Sequence, residues 1–405
     1  MAFKEKSLNH DMQKTGTQTQ NNVVGWRAFG RKRTLFIPAT PCAAQRYALN
    51  FFLPNRWQRY AITLATRAGF GRKVANGLGD EWPAIEDTVA LTKTIAAQMQ
   101  VPDAQRTALK PLVFAMRQGS VGPYQKMSLI AIQVHGKPLF YAKVAVGAAA
   151  DAMVEAESAC LQRLSTIPEL HGMVPLKLSE GQTPAGRPFF TTSVAPFLKS
   201  TTSFKMQHEQ FLTALGHATA QWVNYADSLE FQFTKSALAR LSVHLGAAVH
   251  AELQSASEEV LSKIGGLKLP AVLAHRDFAP WNIRWHATGI FVFDWEYAAE
   301  GANPLYDFFH FHLIQRALSH RQAQALAPSY VLSLMSVALA YLQKTFPEVN
   351  WSLDIVKQLL LVYLVDLILF YVDSGKEFDI NHPVLSAYFN LTLMRKQWLV
   401  LEQAV

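Results

Sequence analysis

The segment His275-Arg276-Asp277-Phe278-Ala279-Pro280-Trp281-Asn282 reads as a short loop with an aspartate and an asparagine five residues apart. Gly289-Ile290-Phe291-Val292-Phe293-Asp294-Trp295-Glu296 follows as an apolar strand ending in a second aspartate. Phosphoryl transfer from a nucleotide needs little covalent help: a carboxylate to orient the attacking hydroxyl, and oxygen ligands to hold Mg²⁺ against the phosphates. Asp277 can supply the first, and Asn282 and Asp294 the second. Three fixed residue types at this spacing arise by chance in roughly one chain of this length in fifty. The bland alternative is an acidic surface loop beside a buried strand.

The residues upstream predict a scaffold to match. Leu112–Met116, Met127–Val134 and Leu139–Val146 have the composition of strands. The turn Gly119-Ser120-Val121-Gly122-Pro123 joins the first two, forming a hairpin whose backbone amides could approach phosphate oxygens. Lys143 lies inside the otherwise apolar third strand, and a buried ammonium needs a partner. Asp151–Leu164 follows as a helix offering Glu155 and Glu157. Arg187–Val194 reads as a further strand and Ala195-Pro196-Phe197 as a hinge. His310 and His312 fall on different faces of a helix with no other ligand beside them, so they read as ordinary core or surface histidines rather than a metal site. No Walker loop, Gly-x-Gly-x-x-Gly or Gly-x-Ser-x-Gly motif occurs.

His275 to Ile283, Phe293-Asp294-Trp295-Glu296 and Asn303-Pro304-Leu305-Tyr306-Asp307-Phe308 together resemble the aminoglycoside phosphotransferase and choline kinase superfamily. More narrowly they look like phosphotransferase-like proteins of bacterial polysaccharide biosynthesis. The resemblance implies an α+β, bilobal protein-kinase-like fold: a small β-rich N-lobe, a large mainly helical C-lobe and, here, an N-terminal helical extension. It implies ATP and Mg as cofactors and a hydroxyl-bearing small molecule as acceptor, with sugars, sugar-lipid intermediates, amino alcohols and aminoglycosides all open. Asp277, Asn282 and Asp294 become the catalytic set, with Asn282 and Asp294 on the metal. Gly119, Gly122, Lys143, Glu157 and Val194 fall to the nucleotide, and Asp307 supports the catalytic loop. Glu157 is preferred to Glu155 because the residues from Glu157 to Leu164 are similar to the family's helix. The chain departs from the pattern at Arg276 and Trp281, where glycine is usual, at Pro123, and at Tyr141, where a smaller residue roofs the base pocket. Only 12 residues separate Asp294 from Asp307, too few for a peptide-docking segment, so a small acceptor is expected rather than a protein. The reading from another class is a non-catalytic kinase-like binding protein of an envelope pathway. Retention of Lys143, Asp277, Asn282 and Asp294 together favours the enzyme.

A chain of 405 residues with 50% hydrophobic and 17% charged residues can bury a substantial core. Cys42 and Cys160 form no Cys-x-x-Cys pair, which fits a reducing, cytoplasmic setting. Residues 1–22 read as a disordered polar tail without the apolar core of a signal peptide. Residues 23–105 read as a basic, aromatic-rich helical extension, 106–196 as the N-lobe and 197–405 as the C-lobe. Between Val23 and Gly79 there are ten basic residues and no acid, interleaved with Trp, Phe and Tyr. That pattern suits an anionic membrane surface at the inner face or a helical subdomain with wet arginines. Nucleic acid is the least favoured partner. The apolar run Leu359–Val372 is 14 residues long and broken by Asp366, short of the roughly 20 needed to span a bilayer, so a buried helix is expected.

Overall fold

The computed structural model describes residues 23–27, 34–38, 42–53, 60, 62–64, 112–119, 122–195, 199–318, 326–374, 382–395 and 398. The chain divides into two compact units, residues 1–165 with 175–198 and residues 166–174 with 199–405. The first is built on an antiparallel sheet and the second is mainly helical, the α+β organisation expected.

Seven strands form the first unit's sheet: β1 (Val23–Arg27), β2 (Thr34–Pro38), β3 (Leu112–Gln118), β4 (Lys126–Gln133), β5 (Pro138–Ala145), β6 (Lys177–Gln182) and β7 (Pro188–Thr192). Their order is β1-β2-β3-β4-β5-β7-β6, with every neighbouring pair antiparallel. Side chains alternate across a strand, and both faces here are apolar. Met127, Leu129 and Ala131 of β4 pack with Phe140, Ala142, Val144 and Phe189 on one face. Ile130 and Ile132 face the other way, against Ala115, Ile37 and the buried side of helix α1 (Cys42–Phe52). Lys143 shares that second face, since it sits one residue from Ala142 and Val144. Helix α2 (Ala150–Leu164) completes the unit.

The helical extension expected from residue 23 is corrected at its start. Val23–Arg27 and Thr34–Pro38 are strands, and β2 continues the sheet by pairing Leu35 with Arg117 and Phe36 with Met116. Their Val, Thr, Trp, Phe and Ile content favours the pleated conformation, and a ladder closed by β3, more than seventy residues downstream, decides it. The sheet therefore begins at residue 23, not 106. Beyond helix α1, the expected helical extension lies mostly outside the described residues.

The second unit places α3 (Met206–Thr219), α4 (Leu229–Leu245), α5 (Ala247–Ile264), α6 (Tyr306–Ala317), α7 (Pro328–Thr345), α8 (Leu353–Asp373) and α9 (Pro383–Leu393) around two small sheets. One sheet orders β12 (Ala299–Ala302), β9 (Lys268–Ala274) and β8 (Gln221–Asn224); the other pairs β10 (Ile283–His286) with β11 (Gly289–Val292). Helix α8 is the centre. Ser352 caps it by accepting the Ile355 amide, and fifteen of its residues are buried. It is the one described helix long and apolar enough to cross a membrane, but its apolar surface is spent inside this unit against α4, α5, α6, α7 and α9.

At the start of α3, His208 Nδ1 accepts the Lys205 amide at 3.0 Å, while its Nε2 is buried without a hydrogen-bond partner. Burial pulls this imidazole down to about 4, against a smaller upward push from the Lys205 backbone. An unfolded histidine titrates near 6.5. Between pH 6.5 and 4 the unfolded chain therefore binds a proton that the folded chain refuses, and stability falls as pH falls through that window. The loss is on the order of 3 kcal/mol when complete. Urea midpoints at pH 7 and pH 4.5 check it: the drop shrinks in His208→Asn, whose Oδ1 can keep the capping role without titrating.

Candidate active site

The catalytic-type loop is assembled within the second unit. β9 delivers the chain at His275, a 3-10 turn runs from Pro280 to Asn282, and β10 and β11 return it to Asp294. The loop is pinned from below by Asp307, at the first turn of α6. One carboxylate oxygen accepts the His275 amide at 2.7 Å and the other the Arg276 amide at 2.9 Å. Burial raises this carboxyl, and His275 and the two amides oppose the rise. The turn that presents α6 is itself fixed. Glu230 accepts both the backbone amide and the side-chain amide of Asn303, at 3.0 and 2.9 Å. Burial, with Asp366 nearby, pushes Glu230 up to about 8.

His275 ties the loop to the second aspartate. Its Nδ1 accepts the Asp277 amide at 3.2 Å, which leaves the proton on Nε2 to donate to the Phe293 carbonyl at 3.0 Å. Phe293 in turn donates its amide to the Asn282 carbonyl at 3.0 Å. Asp277, Asn282 and Asp294 are thus fixed by one short network. Asn282 donates its side-chain amide to Asp277 Oδ2 at 2.7 Å, leaving its Oδ1 as the atom available to a cation. Trp281, an exposed indole, also donates to Asp277 Oδ2, at 3.3 Å. Beneath the loop Phe278 is fully buried and stacked on Phe211, centroids 5.7 Å apart.

Two non-glycine residues of the described chain have left-handed backbones, Arg276 (φ 64°) and Asp294 (φ 72°). This gives the physical reason for glycine at the Arg276 position in the resembled family: a side chain there costs about 1–2 kcal/mol. Here the side chain has its own anchor. The Arg276 guanidinium pairs with Asp366 of α8 and donates to Tyr306 at 3.4 Å, while Tyr306 donates to Asp366 at 2.9 Å. The Phe370 ring lies 4.7 Å from the guanidinium carbon. Burial alone would lower the Arg276 pKa, but the Asp366 charge and Tyr306 raise it beyond its ordinary value. Asp366, the odd acid in an apolar run, is the cue that could have announced a buried cation.

Hard oxygen donors suit Mg²⁺, which takes one or two carboxylates together with phosphate oxygens and water. Asn282 and Asp294 meet that description. Glu296, not assigned a role from sequence, has a carboxylate oxygen within 4.8 Å of one on Asp294. The nearby Tyr297 phenol is pushed up by burial and then by Glu296, Asp294 and Asp277, which marks a strongly negative locale. His310, read as an ordinary histidine, instead lies with Nε2 3.3 Å from Asp277 Oδ1.

In the first unit Lys143 Nζ meets Glu157 Oε2 at 2.6 Å, both buried, while Glu155 is exposed. Gly119 donates its amide to the Lys126 carbonyl at 2.8 Å, so that group belongs to the ladder and is not open to a phosphate. Gly122 takes φ 153°, with open space where a side chain would begin. Gly147, not singled out from sequence, is required by close approach: a Cβ there would lie 2.1 Å from the Pro123 carbonyl oxygen. Tyr141 shares a 2.7 Å hydrogen bond with Ser128. Val194 lies two residues past the end of β7, half-buried against the Ile37 and Ala44 cluster.

Residues 143–337 match the model of the phosphotransferase enzyme family. No curated protein matches the sequence. Among solved structures, choline kinase from Cryptosporidium parvum Iowa II aligns with a TM-score of 0.52 at 14% identity, covering 77% of this chain and 97% of that one. Aminoglycoside phosphotransferase APH(4)-Ia aligns with a TM-score of 0.46 at 15% identity, covering 76% and 99%. A choline/ethanolamine kinase family protein from Mesorhizobium loti aligns with a TM-score of 0.41 at 15% identity, covering 76% and 95%. The likeness to the choline kinase shows the fold, which is protein-kinase-like.

Breaking the Arg276–Asp366 pair tests the anchor. Asp366→Leu leaves a buried guanidinium uncompensated and is expected to cost about 3–5 kcal/mol of stability, whereas Arg276→Met with Asp366→Leu recovers much of it. Denaturant unfolding of the two singles and the double, read as a cycle, measures the coupling.

Proposed function

We propose that this phosphotransferase-family protein moves the terminal phosphoryl group of ATP, held with Mg²⁺, to a hydroxyl of a small molecule, with Asp277 as the base. One observation carries the reading: Asp277 and Asn282 are locked together at 2.7 Å, and the residue before Asp294, Phe293, donates its amide to the Asn282 carbonyl. That is a base, a neutral oxygen ligand and an anionic oxygen ligand in one rigid network, the set phosphoryl transfer requires. Asn282 and Asp294, with Glu296 near, would hold the metal, which neutralises charge developing on the transferred group. The Lys143–Glu157 pair of the first unit is the arrangement that presents a lysine to nucleotide phosphates in kinase-like folds. The binding-protein alternative loses ground because none of these residues is replaced.

A sugar or sugar-lipid acceptor is the proposed class, supported by the resemblance noted from sequence and by an exposed indole, Trp281, bonded to the base. A peripheral contact of residues 23–79 with anionic lipid fits the same proposal; its support is their charge, ten bases without an acid. Salt-sensitive co-sedimentation with anionic vesicles tests that contact.

Asp277→Asn is expected to lower turnover by about 10²–10⁴ while leaving Mg·ATP affinity nearly unchanged. Asp294→Ala should instead weaken Mg·ATP binding. An ATP-consumption screen over sugars, amino alcohols and aminoglycosides, followed by kinetics of both variants on the best acceptor, measures this. Wild-type turnover in Asp277→Asn would remove the base assignment.

A further inference from the structure

Asp277 has a second set of partners on the side away from Asn282. Its Oδ1 lies 3.3 Å from Nε2 of His310 on α6, and the His310 side chain is only 3% exposed. His310 Nδ1 is 3.2 Å from the Tyr363 hydroxyl on α8, and that hydroxyl is 3.0 Å from the Tyr388 hydroxyl on α9. Both tyrosines are fully buried. Burial pushes both phenols upward, so each remains a neutral hydroxyl able to donate. Polar groups are costly in a core unless each finds a partner. Leucine or phenylalanine could fill this space without that constraint. Instead three buried polar groups satisfy one another in series, and the series ends on the one carboxylate read as the base.

We propose that His310, Tyr363 and Tyr388 form a positioning chain for Asp277, an inference that rests on the phosphotransfer reading of that residue. The Tyr388 hydroxyl donates to the Tyr363 oxygen, and the Tyr363 hydroxyl donates to His310 Nδ1. The imidazole proton is thereby kept on Nε2, where it donates to Asp277 Oδ1. With Asn282 and Trp281 on Oδ2, the carboxylate is gripped through both oxygens and cannot rotate. No proton leaves the chain during turnover; its part is to hold the base in one orientation as an acceptor. Tyr363 and Tyr388 lie beyond residue 337, where the family match ends. The C-terminal helices thus become part of the working site instead of a scaffold alone.

The test uses the full-length protein, with hydrolysis of Mg·ATP by water as the probe reaction and ¹⁵N-histidine spectra as an independent readout. A small misplacement of a reacting group can cost as much as 10²-fold. His310→Ala should lower kcat about 10–100-fold and Tyr363→Phe about 3–10-fold, with KM for ATP within about twofold. His310→Gln, whose amide can still donate to Asp277, should recover most of the loss. The spectra should show His310 as a single Nε2–H tautomer in the wild type and a mixture in Tyr363→Phe. A merely structural role would move stability and KM together and would not be rescued by glutamine. If Asp277→Asn is inactive while His310→Ala and Tyr363→Phe turn over normally, the chain is overturned and the base assignment stands. A wild-type His310 protonated on Nδ1 or on both nitrogens also overturns it. An active Asp277→Asn overturns the base assignment and this proposal with it.

Discussion

Asp307 accepts two consecutive amides, those of His275 and Arg276, and the rest of the site depends on that grip. A carboxylate can satisfy two neighbouring N–H groups only if the chain turns sharply between them, and here the turn puts Arg276 at φ 64°. From that kink follow the direction of Asp277, the capture of its amide by His275, and the link from His275 through Phe293 to Asn282. The strain is local and modest, about 1–2 kcal/mol, and the network over-determines it. Glu230, Asn303 and the start of α6 brace Asp307 from behind, so that its position is set by α4 as much as by its own helix.

Arg276 converts a liability into a tether. In a glycine-bearing loop the kink would be free of cost but the residue would hold nothing. Here its guanidinium reaches Asp366 on the long central helix α8. Buried ion pairs seldom add net stability over apolar packing, but losing one partner is costly. Their value is in geometry: a charge with one acceptable partner can occupy one place. Tyr306, bonded to both members and stacked edge-on near Tyr363, ties this anchor to the side chains behind Asp277.

What the sequence made legible was what short spacing encodes. The loop from His275 to Asn282, the strand before Asp294, the three strands around Lys143 and the acidic helix after it are local patterns, and the structure places each as a local element. The strands at 23–38 were not legible as part of the sheet, because β1 pairs only with β2, the partner β3 that joins both to the sheet lies more than seventy residues on, and no local period reports a long-range ladder. His310 was missed for a similar reason. On α6 it looks like any histidine beside phenylalanines, and only the packing of α6 against the loop and against α8 shows what its two nitrogens meet. Asp366 was the one long-range clue visible in the sequence, since an acid in the middle of an apolar helix has to be matched.

The same logic explains why the site draws on so much of the second unit. The base role proposed for Asp277 allows only a narrow range of orientations, and a loop cannot hold that range by itself. The restraints on Asp277 therefore come from several elements: Asn282 and Trp281 from its own loop, Asp307 and His310 from α6 one turn apart, and Tyr363 and Tyr388 from two later helices. Asp307 and His310 stand three residues apart on one face of α6, so a single rigid helix sets both the backbone of the loop and the carboxylate it presents. A shift of α6 would move the two together and preserve their relation. That common mounting lets a loop with a strained arginine where glycine is usual retain the geometry that phosphoryl transfer demands.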